Sequence, residues 1–123
     1  MKRVLIVDDE PELTEVVREY LQDRYEVAVV HSGPAAMQAV AGRRPDVVFL
    51  DINMPGASGL DVLKALRRVD ASIPVIMVTV NTEVAVVQEC LREGAFAYVP
   101  KPFDLKYVEH MAALATQPAR SDA

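Results

Sequence analysis

Val4-Leu5-Ile6-Val7-Asp8-Asp9-Glu10-Pro11, followed by Leu13, Val16, Val17, Tyr20 and Leu21, is the stretch that decides the fold. Four consecutive apolar residues without alternation read as a strand buried on both faces. The next five apolar positions fall at i, i+3, i+4, i+7 and i+8, one stripe of a helix opening near Pro11. A buried strand feeding a helix through an acidic turn is one half of a βαβ unit.

The same alternation continues outward. Apolar runs recur at Glu26 to Val30, Val47 to Leu50, Ile73 to Val80 and Ala97 to Val99, each followed by a segment of helical period. Ser32 before Gly33-Pro34 opens a helix that stops at Gly42; Ser58 precedes Leu60, Leu63 and Leu66. Asn81 or Thr82 precedes Val84, Val87 and Leu91, with a stop at Gly94, and Asp104 precedes Leu105, Val108 and Met111. Five strands alternating with five helices predict a doubly wound α/β fold around a five-stranded parallel sheet. The second and fifth runs carry the polar residues of edge strands.

At 123 residues the chain is long enough for one domain. The expected domain runs from 1 to 116, and 117–123 read as a tail or the start of a linker. Hydrophobic residues at 51% and charged residues at 25% exclude a disordered tail. The net charge of −5 argues against direct nucleic acid binding, which needs a basic face. The single cysteine, Cys90, has no intrachain partner. The first apolar run is too short for a signal peptide and none approaches a membrane span, so the expectation is a cytoplasmic domain with no membrane partner.

Ligands of open parallel sheets bind beyond the carboxyl ends of the strands. Asp8 and Asp9 end the first strand, Asp51 the third, Thr79 lies near the end of the fourth, and Lys101 follows the fifth. Singly, each has an ordinary explanation in turn, strand or surface chemistry; their coincidence at four strand ends does not. Two carboxylates 5 Å apart repel by about 3 kcal/mol at an effective dielectric of 20, so the cluster calls for a cation. All-oxygen donors favour Mg²⁺. A lysine and a hydroxyl beside it suit the equatorial oxygens of a phosphoryl group, and the remaining carboxylate suits a nucleophile.

Together, Val7-Asp8-Asp9-Glu10, Leu50-Asp51-Ile52-Asn53-Met54-Pro55 with Gly59, Val78-Thr79, and Gly94-Ala95 with Tyr98 and Lys101-Pro102-Phe103 resemble the response-regulator receiver domain of bacterial two-component signalling. The likeness runs from residue 3 to about 115. It implies the flavodoxin-like strand order 2-1-3-4-5. It implies that Asp51 is the phosphoacceptor, taking its phosphoryl group from a sensor histidine kinase or phosphotransfer protein. Asp8, Asp9, Asp51 and the backbone carbonyl of Asn53 would hold Mg²⁺. Thr79 and Lys101 would hold the phosphoryl oxygens, and Tyr98 would be an aromatic switch coupled to Thr79. The Lys101–Pro102 bond would be cis. The domain would not be a conventional enzyme but would catalyse its own phosphorylation and dephosphorylation. Its output would be a homodimer or partner contact through the face of the fourth helix, fifth strand and fifth helix, controlling an output domain such as a transcription activator.

Val80 departs from the family pattern, where a smaller residue is usual. It either narrows access to the phosphoryl site or turns its methyls into the sheet. Asn53 and Asn81 occupy rate-tuning positions. An aspartate-nucleophile phosphatase would need a second aspartate where Asn53 stands. A flavin module would need a Ser/Thr/Gly-rich loop where Asp8-Asp9-Glu10 stands. No phosphate loop of the NTPase type is present. His31, His110 and Cys90 read as boundary or packing residues.

Overall fold

The computed structural model describes residues 1–54, 57–80 and 84–117. The order is β1 (Lys2–Val7), α1 (Pro11–Leu21), β2 (Tyr25–Val30), α2 (Gly33–Gly42), β3 (Val47–Asp51), β4 (Asn53–Met54), β5 (Ala57–Ser58), α3 (Gly59–Val69), β6 (Val75–Thr79), α4 (Val84–Arg92), β7 (Ala97–Pro100) and α5 (Leu105–Thr116). The main sheet is parallel throughout, in the order β2-β1-β3-β6-β7. Counting principal strands alone, this is the expected 2-1-3-4-5. The sequence reading lacked the two-residue antiparallel ladder of β4 and β5, which pairs Asn53 with Ser58 and Met54 with Ala57.

Burial follows position in the sheet. Every residue of β3 and β6 is buried, whereas every residue of β2 is half-buried, as an edge strand should be. Alternate strand residues feed two cores. Leu5, Val7, Val48, Leu50, Val75 and Met77 pack under α2, α3 and α4, while Val4, Ile6, Val47, Phe49, Ile76 and Val78 pack under α1 and α5. The fourth strand is shorter than its apolar run: Ile73 is buried ahead of it, with its N–H donating to the Asp70 carbonyl, and Val80 lies beyond its end.

Three side-chain caps form where the sequence places them. Ser32 accepts from the Ala35 N–H, Ser58 from that of Leu60, and Asp104 from that of Lys106. A cap from Asn81 or Thr82 lies outside the described residues, as does the tail from 118 onward. Two helix stripes are phased differently from the reading. On α1 the buried line is Thr14, Val17 and Leu21, and Val16 is exposed. Thr14 tolerates burial because its hydroxyl donates to the Pro11 carbonyl at 2.9 Å. On α4 it is Cys90 that is buried and Val86 that packs on the core, leaving Val84 and Leu91 exposed. Their spacing is helical, but the stripe faces outward.

Gly59 is required where α3 meets β3. A Cβ there would collide with the Asp51 carbonyl and the Ile52 Cα. The Gly59 N–H donates to the Ile52 carbonyl at 2.8 Å. Among the described residues no helix is long and apolar enough to cross a membrane.

Candidate functional site

Parallel register carries the candidate residues to one edge. Val7 pairs with both Val30 and Leu50, Asp51 with Val78, and Thr79 with Pro100. Asp8, Asp9, Asp51, Thr79 and Lys101 therefore leave neighbouring strands at nearly the same height. One carboxylate oxygen from each of Asp8, Asp9, Glu10 and Asp51 lies within 4.8 Å of the others.

Asp8 and Asp51 are each only 4% exposed. The Asp8 Oδ1 accepts from the Glu10 N–H at 2.9 Å and its Oδ2 from the Lys101 Nζ at 2.9 Å. Lys101 also reaches the Glu10 Oε1 at 3.0 Å and lies 3.5 Å from the Asp51 Oδ2. The Asp51 Oδ1 accepts from the Asn53 N–H at 3.0 Å. Thr79 is fully buried, and its carbonyl accepts from the Lys101 N–H at 2.8 Å. The Lys101–Pro102 bond is cis.

Three of the four carboxylates, those of Asp8, Glu10 and Asp51, pair with one ammonium, and the electrostatics reflect it. Burial pushes the Asp51 carboxyl up to about 6; the Asn53 N–H pulls it back, and the charge of Asp8 pushes it further up. Burial alone would lower Lys101, but hydrogen bonds to Asp8 and Glu10 and the charge of Asp51 outweigh it and raise the ammonium above its ordinary range. Lys101 is thus a fixed cation, and Asp51 is the carboxylate most in need of another.

The donor set fits a hard divalent ion. Opposite oxygens around Mg²⁺ stand about 4.2 Å apart. Adjacent ones stand about 3.0 Å apart, so oxygens within 4.8 Å of one another are close enough to converge on one such ion by side-chain movement. No sulfur or nitrogen ligand belongs to the group.

The remaining sequence candidates divide. Asn53 is exposed at the rim, next to Asp51. Val80 is 63% exposed and lines a hollow with Glu10, Leu13, Lys101, Pro102 and Phe103, so its methyls do not turn into the sheet. Asn81 lies outside the described residues. Tyr98 is 40% exposed on β7, lining an outer hollow with Phe103, Asp104 and Tyr107. Cys90 is buried in the core, and His110 is exposed on α5. Two contacts were missed in the sequence reading: the ion pair of Glu10 with Lys101, and the hydrogen bond of His31 Nδ1 to the Asp8 carbonyl at 2.8 Å. Pairing Val7 with Val30 is the signal that places residue 31 beside residue 8.

An all-parallel doubly wound sheet with a buried, acid-crowded aspartate at its carboxyl edge defines a flavodoxin-like domain with a candidate cation site at the strand ends. Residues 4–113 match the profile of the response regulator receiver domain, and the chain belongs to that family. It is the receiver domain of a two-component response regulator. It is 41% identical over 106 residues to the DNA-binding response regulator MtrA of Mycolicibacterium smegmatis, covering 85% of this chain and 46% of that protein. It is 40% identical to the regulatory protein AtoC of Escherichia coli, over 85% of this chain and 23% of that protein. The chemotaxis protein CheY4 of Vibrio cholerae superposes with a TM-score of 0.89 at 31% identity, covering 94% of this chain and 98% of that one. The chain spans about half the length of MtrA and under a quarter of AtoC.

Proposed function

We propose that Asp51 accepts a phosphoryl group from a sensor histidine kinase or phosphotransfer protein, and that the domain relays this event to an output partner. The observation that carries the reading is Asp51 itself: buried, crowded by Asp8, Asp9 and Glu10, and 3.5 Å from the single ammonium of the site.

Asp8, Asp9, Asp51 and the Asn53 backbone carbonyl would hold Mg²⁺, whose charge screens the carboxylates from the incoming phosphoryl oxygens. An Asp51 carboxylate oxygen bonds to phosphorus as the phosphorus–nitrogen bond of the donor phosphohistidine breaks, its electron pair staying on the imidazole nitrogen. Lys101 turns from Asp8 to one phosphoryl oxygen and the Thr79 hydroxyl donates to another. Hydrolysis by water later returns Asp51 to a carboxylate, so the domain catalyses its own dephosphorylation without being a conventional enzyme. Val80 and Asn53 tune these rates from the edge of the site, and Asn81, two residues after Thr79 in the sequence, shares that role.

Movement of Thr79 toward the phosphoryl group frees space for Tyr98 to turn inward and reshapes the face of α4, β7 and α5. Val84 and Leu91 of α4, Tyr98 of β7 and Tyr107 of α5 are exposed on these elements, apolar side chains suited to a homodimer or partner contact. The output is transcriptional control in the cytoplasm, through a module beyond this domain, whose net charge of −5 disfavours direct DNA contact.

Incubation with acetyl phosphate, read by intact mass, tests the reading. Labelling is expected on the unsubstituted protein with Mg²⁺, not with EDTA and not on Asp51→Asn. Equal labelling in chelator, or undiminished labelling of Asp51→Asn, overturns it.

A further inference from the structure

Each polar atom of Asp8 has a partner. Its N–H donates to the Val30 carbonyl at 3.1 Å, its Oδ1 accepts from the Glu10 N–H, its Oδ2 accepts from Lys101, and its carbonyl oxygen accepts from His31 Nδ1 at 2.8 Å. Three of these follow from the sheet or from the site's own charges. The fourth comes from a residue with no part in the chemistry described above. From it we infer that His31 is a positioning residue for the cation site, holding the Asp8–Asp9 peptide in the orientation that presents both carboxylates; this rests on the proposed Mg²⁺-dependent phosphorylation of Asp51.

A carbonyl oxygen only accepts, so His31 Nδ1 carries the proton of this bond. The carbonyl of Asp8 belongs to the peptide that leads to Asp9. Because that peptide is planar, fixing its oxygen fixes the direction in which the chain proceeds to the Asp9 Cα. The β1–β2 ladder ends at Val7 and Val30, with one further backbone bond from the Asp8 N–H. Beyond that bond, among the described residues, the His31 hydrogen bond ties the turn to the end of β2. The turn is three residues long, all three acidic, and their mutual repulsion with Asp51 drives it open. A donor on the backbone carbonyl resists the opening without occupying any carboxylate oxygen a cation would use. Without it, the cost of ordering the Asp8–Asp9 peptide falls on cation binding.

The test uses the full chain with His31→Ala, His31→Phe and His31→Asn. Phenylalanine keeps an aromatic ring without the donor; asparagine keeps an N–H donor at the same branch of the side chain. Mg²⁺ affinity is measured by calorimetric titration, and acetyl-phosphate labelling at limiting and saturating Mg²⁺. Each variant is also melted in EDTA. His31→Ala and His31→Phe are expected to bind Mg²⁺ about three- to tenfold more weakly, the worth of one net hydrogen bond. Their labelling should fall by the same factor at limiting Mg²⁺ and recover at saturation, with His31→Asn within about twofold of the unsubstituted protein. A merely structural role would lower the EDTA melting temperature and leave the affinity where it was. Unchanged affinity in the alanine and phenylalanine variants, or an asparagine variant as weak as alanine, overturns the inference alone. Absence of Mg²⁺-dependent labelling in the unsubstituted protein overturns the parent reading and this inference with it.

Discussion

Lys101 Nζ lies 2.9 Å from Asp8 Oδ2, in a pair whose side chains are 9% and 6% exposed, so the one ammonium of the site rests on a carboxylate that the proposed cation would share. On the proposed reading lysine and ion would compete for Asp8, and Lys101 would have to leave it to reach a phosphoryl oxygen. Lys101→Ala should tighten Mg²⁺ binding by about tenfold, since a +1 and a +2 charge about 5 Å apart repel by more than 1 kcal/mol even at the dielectric of water. The same variant should lose about 3 kcal/mol of stability in EDTA, because it leaves buried carboxylates without a counterion, and should recover on adding Mg²⁺. Calorimetric titration and thermal melts check both. Weaker Mg²⁺ binding would show that Lys101 supports the ion.

Asp51 gives the site a pH signature. Its folded carboxyl titrates at about 6, above the ordinary 3.8. Between those values the folded protein holds a proton on Asp51 that the unfolded chain has lost, so the contribution of Asp51 to stability is fully present below about pH 4 and is lost as pH rises through about 6. Above that the ionised carboxylate costs on the order of 3 kcal/mol. Asp51→Asn should therefore raise the melting temperature in EDTA at pH 7.5 by about 5–10 °C and have almost no effect at pH 4. Melts across pH 4 to 8 measure this. A stabilisation equal at both ends would assign the effect to something other than the charge.

The strand ends were legible because parallel register needs only short apolar runs to be located, and once located they bring Asp8, Asp51, Thr79 and Lys101 together. Helix phase was harder. Val16 on α1 and Val84 and Leu91 on α4 satisfy a helical apolar pattern yet face outward, because periodicity reports which residues share a face and not which face meets the sheet. Thr14 escaped notice since its hydroxyl is satisfied within its own turn. The two-residue ladder of β4 and β5 is too short to carry any period. The role inferred for His31 needs the β1–β2 register, which no single segment encodes.

Gly59 shows how the fold constrains the site from below. Gly59→Ala would force a Cβ into the Asp51 carbonyl and Ile52 Cα, which are backbone atoms that yield only by moving the end of β3. The expected cost is about 2–3 kcal/mol, typical of overpacking at a buried position. Acetyl-phosphate labelling should slow as well, since Asp51 rides on the displaced backbone. Chemical denaturation and labelling rates on one preparation check this; wild-type stability would mean that the α3 junction is more compliant than its spacing indicates.

Thr79→Val should separate phosphorylation from response. The substitution keeps the shape of a fully buried side chain but removes the hydroxyl proposed to follow the phosphoryl group. A ligand shifts an equilibrium only through contacts that differ between the two states, and this hydrogen bond is the difference. Labelling of Asp51 is expected to persist, while any phosphorylation-dependent change in dimer fraction, followed by analytical ultracentrifugation, is lost. An intact response would remove Thr79 from the coupling.

Val80 tests access to phosphorus. Its side chain is 63% exposed and shares a hollow with Glu10, Leu13, Lys101, Pro102 and Phe103, on the approach to the site. On the proposed reading a β-branched residue there would crowd the path that both a small phosphodonor and the hydrolytic water must take in line with the bond they break. Val80→Ala should then raise acetyl-phosphate labelling and shorten the phosphoryl lifetime together, each by about tenfold, equal to about 1.4 kcal/mol of barrier. Because the methyls face solvent and not the sheet, folding stability should stay within about 0.5 kcal/mol of the unsubstituted protein. The two rates must move together: faster labelling with an unchanged lifetime would locate the effect in donor binding. Unchanged rates would show that the valine stands clear of the path.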